Sequence, residues 1–296
     1  MLDIIWRVNS DPSCTWTAGR SYLTEMDTEE VILHMGLNLR YFRVLLEKKT
    51  FSSSTAEVFP ISFDAREEWP YCSTIGSIRD QGRCGSCWAF ATADVMTDKT
   101  CIKSRGALNS HLSPENLLTC CSSCGHGCDG GYPEEAFLYW MRTGVVTGGD
   151  YGSNEGCQPY SHQAYFDGTT PACIQQCQPG SGINYPADLH FGSSAYAVSP
   201  HADEIQKEIF TNGPVVAGFQ VYEDFITYSH GVYMHITGRF LGDHAIKIIG
   251  WGEENNVPYW LCANSWGVNW GINGFFKILR SFNESGIEQF VVTGSL

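Results

Sequence analysis

Apolar side chains that recur every three or four residues predict helices along the chain before Gly213. The predicted helices cover residues 28–43, a run that opens at Ser86 or Cys87, the runs that begin at Pro114 and Pro133, and residues 203–211. Apolar residues cover a broad surface of the run after Cys87, so this helix is expected to be buried. Ser113 is a suitable N-cap for the helix at Pro114, and Gly213 is placed to end the last helix.

Beyond Gly213 the apolar pattern changes to short continuous or alternating runs, which are bounded by Gly, Asn and Pro. Such runs are typical of strands and predict them at residues 215–221, 245–251, 259–263 and 275–279. Helices followed by antiparallel strands indicate the α+β class, with two lobes that meet at a groove.

Residues 1–58 differ from the rest of the chain. They contain a single cysteine and end near a polar run, residues 52–55, that is typical of a linker. Composition alone leaves two interpretations equally open, a flexible N-terminal extension and a removable pro-segment. The first apolar residues form too short a run, and Asp3 comes too early, for a secretory signal, so we expect that a signal peptide precedes this sequence in the full precursor.

Composition narrows the classes of function. With 18 Lys and Arg against 32 Asp and Glu, the formal charge is -14, which leaves no basic surface for a nucleic-acid backbone. The 13 cysteines are concentrated between Cys72 and Cys177 and indicate an oxidising compartment rather than the cytosol. No apolar run approaches the ~20 residues needed to cross a bilayer, so no membrane span is predicted.

A thiol is brought to the start of the buried helix by the segment QGRCGSCW, residues 81–88. Free N–H groups at a helix start stabilise a thiolate, so Cys87 is the candidate nucleophile, with a lowered pKa. His244, at the entry to a predicted strand, is the candidate base, and Asn264, on the expected neighbouring strand, is the candidate that orients its ring. The Gln81 side-chain amide and the Cys87 N–H are the candidate donors to an oxyanion.

Several segments resemble the papain family of cysteine proteases, and its cathepsin B branch most closely. The family's local signature is similar to residues 81–88, and the segment NSWG at residues 264–267, with the histidine before it, fits the same family. Further segments similar to cathepsin B are FDAREEWP at residues 63–70, LLTCC at 117–121, CDGGYP at 128–133 and GFFKILR at 274–280. The resemblance covers nearly the whole chain.

The resemblance implies a proenzyme with two parts, an inhibitory propeptide at residues 1–58 and a papain-like peptidase domain at residues 59–296. Within the domain it implies a helical lobe at about 70–190 and an antiparallel, β-barrel-like lobe at about 191–296. The implied site residues are Cys87, His244, Asn264 and Gln81 for catalysis, and Gly130, Gly131, Trp266 and Phe290 for substrate contacts. The segment TWTAG at residues 15–19 resembles cathepsin B propeptides, which run backwards through the cleft and block it, and the mature chain is expected to begin near Phe59.

The resemblance also implies five disulfide bonds, Cys72–Cys101, Cys84–Cys128, Cys120–Cys173, Cys121–Cys124 and Cys157–Cys177. The remaining 13 − 10 = 3 cysteines are the nucleophile, Cys14 in the propeptide, and Cys262, which is expected to be a buried free thiol. No metal and no other cofactor is implied. The expected partners are protein and peptide substrates, the chain's own propeptide and cystatin-like inhibitors. We expect a monomer in a lysosome-like acidic vesicle or vacuole, or in the extracellular space.

Two departures from the cathepsin B pattern change the predicted specificity. The occluding loop of that branch carries paired histidines that bind a substrate's terminal carboxylate. In this chain the one histidine between Cys157 and Cys173 is His162. We therefore predict endopeptidase activity without strong release of C-terminal dipeptides. Phe290 stands where the branch places an acidic residue in the S2 pocket, so an apolar side chain rather than arginine is expected at P2, the second residue before the scissile bond.

Three alternatives compete with a protease. Cys84-x-x-Cys87 has the spacing of a thioredoxin-like redox pair, but no βαβ frame surrounds it. A loose zinc spacing, which would suit a binding module, is found at Cys120, Cys121, Cys124 and Cys128. A catalytically silent homologue is disfavoured because all four catalytic positions carry competent residues.

Overall fold

The structure is a computed structural model that describes residues 1–37, 39, 46–50 and 59–296. These described residues form seven α-helices, α1 (Leu2–Ser10), α2 (Thr28–Ile32), α3 (Ala65–Glu68), α4 (Cys87–Ser104), α5 (Pro114–Cys120), α6 (Pro133–Arg142) and α7 (Ala202–Asn212). The strands in the same residues are β1 (Trp16–Ala18), β2 (Lys48–Lys49), β3 (Phe63–Asp64), β4 (Ser194–Val198), β5 (Val215–Tyr222), β6 (Tyr228–Tyr233), β7 (Phe240–Glu254), β8 (Val257–Ala263), β9 (Phe275–Leu279) and β10 (Phe290–Ser295). Single 3₁₀ turns lie at Tyr22–Glu25, Ser73–Gly76, Gly127–Asp129, Tyr185–Asp188, Phe225–Thr227 and Glu284–Gly286, and a π-helical turn at Gln163–Asp167.

The strands join one sheet in the order β1-β6-β9-β8-β7-β5-β10-β4-β2, and β3 pairs with the long strand β7. Most neighbouring strands are antiparallel, but β6–β9 and β2–β4 are parallel. The sheet is therefore mixed, whereas antiparallel strands were expected. One hydrophobic cluster packs within the β-rich part of the molecule, and another surrounds α4. The α+β class is confirmed.

Helix α4 carries Cys87 as its first residue and is buried along most of its length. Its one buried carboxylate, on Asp98, accepts hydrogen bonds from Lys247 Nζ at 2.7 Å and from the Thr74 hydroxyl at 2.9 Å. A buried charge needs such partners. Because Lys247 lies on β7, this ion pair fixes α4 against the strand that also carries His244.

The helices predicted at Cys87, Pro114, Pro133 and residues 203–211 are confirmed as α4 to α7. The predicted cap of α5 is also present, since the Asn116 N–H donates to Ser113 Oγ at 3.0 Å. All four predicted strands lie within β5, β7, β8 and β9, whereas β4, β6 and β10 were not predicted.

The helix predicted at residues 28–43 is wrong in its extent, because α2 ends at Ile32. Residues 38 and 40–43 of that prediction lie outside the described residues, as does the linker predicted at residues 52–55. After two local turns, in which the His34 and Met35 N–H groups donate to Val31 and Ile32, the backbone bonds to other parts of the fold. The Leu37 N–H, for example, donates to the carbonyl oxygen of Asp243 at 3.2 Å.

The structure contains the five disulfide pairs implied by the resemblance, namely Cys72–Cys101, Cys84–Cys128, Cys120–Cys173, Cys121–Cys124 and Cys157–Cys177. Cys14, Cys87 and Cys262 are free thiols, and Cys262 is buried. Since Cys84 pairs with Cys128, it is not the redox partner of Cys87. The four cysteines with zinc-like spacing are likewise all in disulfides, so they offer no thiolates to a metal.

Residues 1–58 are called here the N-terminal segment, and two strands in its described part pair with the rest of the fold. Strand β1 pairs antiparallel with β6, and the Trp16 indole N–H donates to the carbonyl oxygen of Met234 at 2.9 Å. Strand β2 pairs parallel with β4. The N-terminal segment therefore supplies both outermost strands of the sheet. Across the described residues, no helix combines the length and the apolar character that a membrane span would need.

Candidate active site

The loop before α4 holds Cys87 at the helix start. The Gln81 N–H donates to the carbonyl oxygen of Ser265 at 3.0 Å, and the Gly85 N–H donates to that of Cys128 at 3.0 Å. The Cys84–Cys128 disulfide ties the same loop to the glycines that follow Cys128. These bonds fix the loop before Cys87 and so hold its thiol at the start of α4.

His244 and Asn264 are brought together by strand pairing. His244 lies on β7 and Asn264 directly after β8, and Nε2 of the imidazole lies 2.8 Å from Oδ1 of the amide. Because the Ser265 N–H also donates to this Oδ1, the oxygen is an acceptor, which assigns the ring proton to Nε2. Nδ1 is then the basic nitrogen; it is buried and has no hydrogen-bond partner among the described residues.

The thiol lies beside the strand that carries this imidazole. The N–H of Ala245, the residue after His244, lies 3.5 Å from Cys87 Sγ. The indole of Trp266 covers the imidazole, with the two rings 4.7 Å apart and inclined by 34°. Both His244 and Cys87 are fully buried. The predicted nucleophile, base, orienting amide and covering indole therefore meet at one place.

Burial controls the charge state of this pair. It raises the pKa of the Cys87 thiol to about 11, although N–H groups of Ala245, Gly36 and Trp88 oppose the rise. It lowers the pKa of His244 to about 4, against the opposing effect of the Asn264 hydrogen bond. The lowered thiol pKa expected from the helix start is therefore not found in this state. Burial thus favours the neutral forms of the thiol and the imidazole in this state, and the N-terminal segment contributes to it where Gly36 contacts Sγ.

The N-terminal segment crosses the site at Gly36. The Gly36 N–H donates to Cys87 Sγ at 3.3 Å, and the Gly36 carbonyl oxygen accepts from the Gly131 N–H at 2.9 Å. A methyl group added to Gly36 would overlap the carbonyl oxygen of Gly85. Gly130, at a φ of 105°, also faces this passing chain. Both predicted substrate-binding glycines thus lie against an extended peptide.

Gln81 is fully buried and its side-chain orientation is fixed. Its Oε1 accepts from the Ser265 hydroxyl at 2.7 Å, so Nε2 is the donating end. Nε2 donates to the carbonyl oxygens of Cys84 at 2.8 Å and His34 at 3.0 Å. A peptide carbonyl of the N-terminal segment therefore occupies the position predicted for an oxyanion.

Phe290 lines a cavity of about 380 Å³ on another part of the cleft. Leu39 of the N-terminal segment is also in its wall, and the Leu39 N–H donates to Asp243 Oδ2 at 3.2 Å. Leu37 packs in the same apolar cluster as Phe290. The region around Phe290, here called the Phe290 cavity, thus accommodates leucine side chains of a peptide.

Two site residues of the N-terminal segment, His34 and Gly36, were not predicted. His34 is 3% exposed and its ring meets the Trp266 indole edge-on at 6.5 Å. Nothing in its local sequence indicates this position, although a glycine at position 36 within a helix-like pattern is a signal of close backbone approach. The single loop histidine, His162, lies among the rings of Tyr151 and Phe166.

Comparison with known proteins gives concordant matches. The family model described as papain family cysteine protease matches residues 59–295. A gut-specific cysteine proteinase of Caenorhabditis elegans is 54% identical over 241 residues, which cover 79% of this chain and 73% of that protein. Cathepsin B-like cysteine proteinase 5 of the same organism is 45% identical over 298 residues, covering 94% and 86%. Among solved structures, proCathepsin B S9 from Trypanosoma congolense superposes with a TM-score of 0.87 at 33% identity and covers 100% of this chain and 98% of its own.

Proposed function

Since this chain belongs to the papain family of cysteine proteases and its relatives are cathepsin B-like, we propose that it is a cysteine endopeptidase whose N-terminal segment is an inhibitory propeptide. Cys87 is the nucleophile, His244 the base, Asn264 the orienting residue and Gln81 an oxyanion donor. The mature domain is residues 59–296, beginning near Phe59.

In the mature enzyme, removal of the N-terminal segment returns water to the cleft, so the burial that keeps the thiol and imidazole neutral is relieved. The proton of the Cys87 thiol then passes to Nδ1 of His244, and the thiolate attacks the carbonyl carbon of the scissile bond. The Gln81 Nε2–H and the Cys87 N–H donate to the resulting oxyanion. The imidazolium gives its proton to the leaving amine, which breaks the C–N bond and leaves a thioester on Cys87.

Deacylation reverses the proton path. His244 takes a proton from water, the hydroxide attacks the thioester carbon, and the thiolate leaves as the carboxylic acid is released. The hydrogen bond between Nε2 and Asn264 keeps Nδ1 directed at the thiol through both steps.

Inhibition follows from what the N-terminal segment presents to the thiol. An N–H of Gly36, which is not electrophilic, lies against Sγ, while the His34 carbonyl is held by Gln81. The segment's hydrogen bond to Sγ thus comes from an amide nitrogen, and we infer that this register lets the segment fill the cleft without being cleaved there. This pair of contacts is the observation that carries the proposal.

Two features support endopeptidase specificity. The loop between Cys157 and Cys173 lacks the paired histidines that would bind a terminal carboxylate, and His162 is engaged with aromatic rings. Phe290 presents an apolar ring at the position where the cathepsin B branch places a carboxylate for arginine at P2, while the Asp243 carboxylate lies elsewhere in the wall of the cavity. We therefore assign a preference for apolar P2 residues. A lysosome-like acidic vesicle or secretion suits an acid-activated enzyme with five disulfides.

The test is to acidify the purified proenzyme, sequence the new N-terminus, and measure hydrolysis of internally quenched peptides. We expect a terminus near Phe59 and activity that an epoxysuccinyl thiol inhibitor abolishes. Cys87→Ala should be inactive, whereas Cys262→Ala, a matched change of the other buried free thiol, should retain activity. Undiminished hydrolysis by Cys87→Ala would refute the proposal. Faster release of C-terminal dipeptides than internal cleavage would refute the endopeptidase assignment alone.

A further inference from the structure

A cavity of about 470 Å³ opens beside Trp266 and shares no lining residue with the Phe290 cavity. We call it the Tyr165 cavity; its walls include Tyr22, Asp80, Asp150, Tyr151, Tyr165 and Trp266. Trp266 separates it from the imidazole of His244, which protonates the leaving amine in the proposed mechanism. Since the Phe290 cavity receives the acyl half of a substrate, the Tyr165 cavity adjoins the leaving half.

Asp80 gives this cavity a negative charge that only neutral groups contact. One carboxylate oxygen accepts from the Gly82 N–H at 2.9 Å and the other from the Tyr165 hydroxyl at 3.1 Å. Within the part of the chain that the structure describes, no cationic side chain lies within ion-pair distance of Asp80. Its charge is therefore available to a cation that enters the cavity.

The second carboxylate of the cavity belongs to a group with excess negative charge. Asp150 pairs with the buried guanidinium of Arg79, which also pairs with Asp94 at 3.0 Å. With Asp80, these side chains make three carboxylates and one guanidinium, so their sum is 1 − 3 = -2. The field in the cavity thus favours a cation over an anion.

Two tyrosine rings form another part of the wall of the Tyr165 cavity. The Tyr151 and Tyr165 rings stack at 5.0 Å with an interplanar angle of 16°. Burial, and then the charge of Asp80, raise the pKa of Tyr165 to about 12, so its hydroxyl stays protonated and donates. A carboxylate beside aromatic faces is the combination that binds lysine and arginine side chains.

The N-terminal segment shows that this cavity accepts a peptide side chain. Tyr22 forms part of its wall, and the Tyr22 hydroxyl donates to the carbonyl oxygen of Trp266 at 3.3 Å. Burial and the Asp80 charge raise the Tyr22 pKa, so the occupant is a neutral phenol. When the N-terminal segment leaves, Tyr22 leaves with it, and the space beside Asp80 opens to the substrate.

We infer that the mature enzyme selects substrates with lysine or arginine at the first or second residue after the scissile bond, P1′ or P2′, held by Asp80 against the Tyr151 and Tyr165 rings. This specificity rests on the proposed endopeptidase function. The same charge repels the free carboxylate of a substrate that ends at P2′. The cavity thus selects a basic stretch inside a chain and disfavours a chain terminus.

The test uses the acid-activated enzyme and internally quenched peptides that share one acyl half, with leucine at P2. Lysine, arginine, glutamine, glutamate or tyrosine is placed at P1′ and, in a second series, at P2′. We expect kcat/KM for lysine to exceed that for glutamate by at least about tenfold in one series, and the ratio to fall as salt is raised. Equal rates, or a preference for glutamate or tyrosine, would overturn the inference.

Variants of Asp80 test whether its carboxylate causes the preference for lysine over glutamate. Asp80→Asn should bring the lysine-to-glutamate ratio close to one, whereas Asp80→Glu should keep most of it; the ratio within one variant cancels differences in active fraction. Asp203→Asn, an exposed change on α7, is the matched control and should leave the ratio unchanged. A ratio that survives Asp80→Asn would also overturn the assignment.

A substrate whose leaving group is aminomethylcoumarin has no residue after the scissile bond. Its hydrolysis therefore reports catalysis independently of the Tyr165 cavity. No hydrolysis of this substrate defeats the proposed function itself, while hydrolysis with a flat lysine-to-glutamate ratio defeats only the inference about the cavity.

Discussion

Replacing Gly36 by alanine should lift the N-terminal segment off Cys87 while its strands stay docked. The added methyl group would overlap the Gly85 carbonyl oxygen, which is backbone and cannot rotate away. The segment must therefore move away from the thiol. Strand β1 and its Trp16 anchor lie elsewhere on the sheet and are unaffected.

The magnitude follows from the hydrogen bonds that this movement breaks. Three lie at the crossing point: Gly36 N–H to Sγ at 3.3 Å, Gly131 N–H to the Gly36 oxygen at 2.9 Å, and Leu37 N–H to the Asp243 oxygen at 3.2 Å. Each contributes about 0.5–1.5 kcal/mol, so their loss costs about 3 kcal/mol. At about 1.4 kcal/mol per tenfold, the population with an uncovered thiol should rise about 100-fold.

The assay is alkylation of the full-length proenzyme with iodoacetamide at neutral pH, followed by mass spectrometry of the Cys87 peptide. Peptide mapping separates Cys87 from the partly exposed thiol of Cys14. The matched control is Gly19→Ala, where the added carbon would lie 3.3 Å from Ser229 Cβ and needs only a small adjustment. A Cys87 labelling rate in Gly36→Ala within threefold of the Gly19→Ala rate would refute the reasoning.

Three further outcomes are expected. Phe290→Glu should raise the ratio of kcat/KM for arginine over leucine at P2 by at least about tenfold, because it replaces an apolar ring with a second carboxylate beside that of Asp243; matched peptides that give an unchanged ratio would remove Phe290 from that role. Asn264→Ala should lower kcat by about 10- to 100-fold, since a hydrogen bond to a charged imidazole contributes about 1.5–3 kcal/mol; an effect on KM alone would argue against an orienting function. Burial lowers the pKa of His34 in the docked segment, so docking is favoured above the free imidazole pKa of about 6.5 and loses this contribution as the pH falls through it. His34→Leu should then move the midpoint of acid activation to lower pH, and an unmoved midpoint in a pH series would contradict this.

The helix and strand pattern around the active site could be read from the sequence because local chemistry sets it. Ser113 caps α5, and Gly213, at a φ of 93°, follows α7. The run after Cys87 is apolar on a broad surface because α4 lies between other elements, so burial is visible in the sequence itself. The resemblance to the papain family was also confirmed. It could be recognised from sequence because it rests on short contiguous segments.

Other features depend on contacts that no local pattern encodes. The helix predicted at residues 28–43 fails because the backbone at Gly36 and Leu37 finds hydrogen-bond partners on the cleft, at Gly131 and Asp243, more than 90 residues away. The raised pKa of Cys87 also depends on distant contacts, since burial within the folded protein outweighs the effect of the helix start. Strands β4 and β10 pair across a sequence separation of nearly 100 residues, so their pairing could not be predicted from the local sequence either.

The two outer strands of the sheet, β1 and β2, both belong to the N-terminal segment. Its removal, as proposed above, would leave the backbone N–H and C=O groups of β6 and β4 that pair with it without these partners. Exposed edge strands of this kind can pair with a strand of another chain. In the proposed activation, the cleavage that uncovers Cys87 would therefore also create two edge strands, β6 and β4, at which another chain could pair.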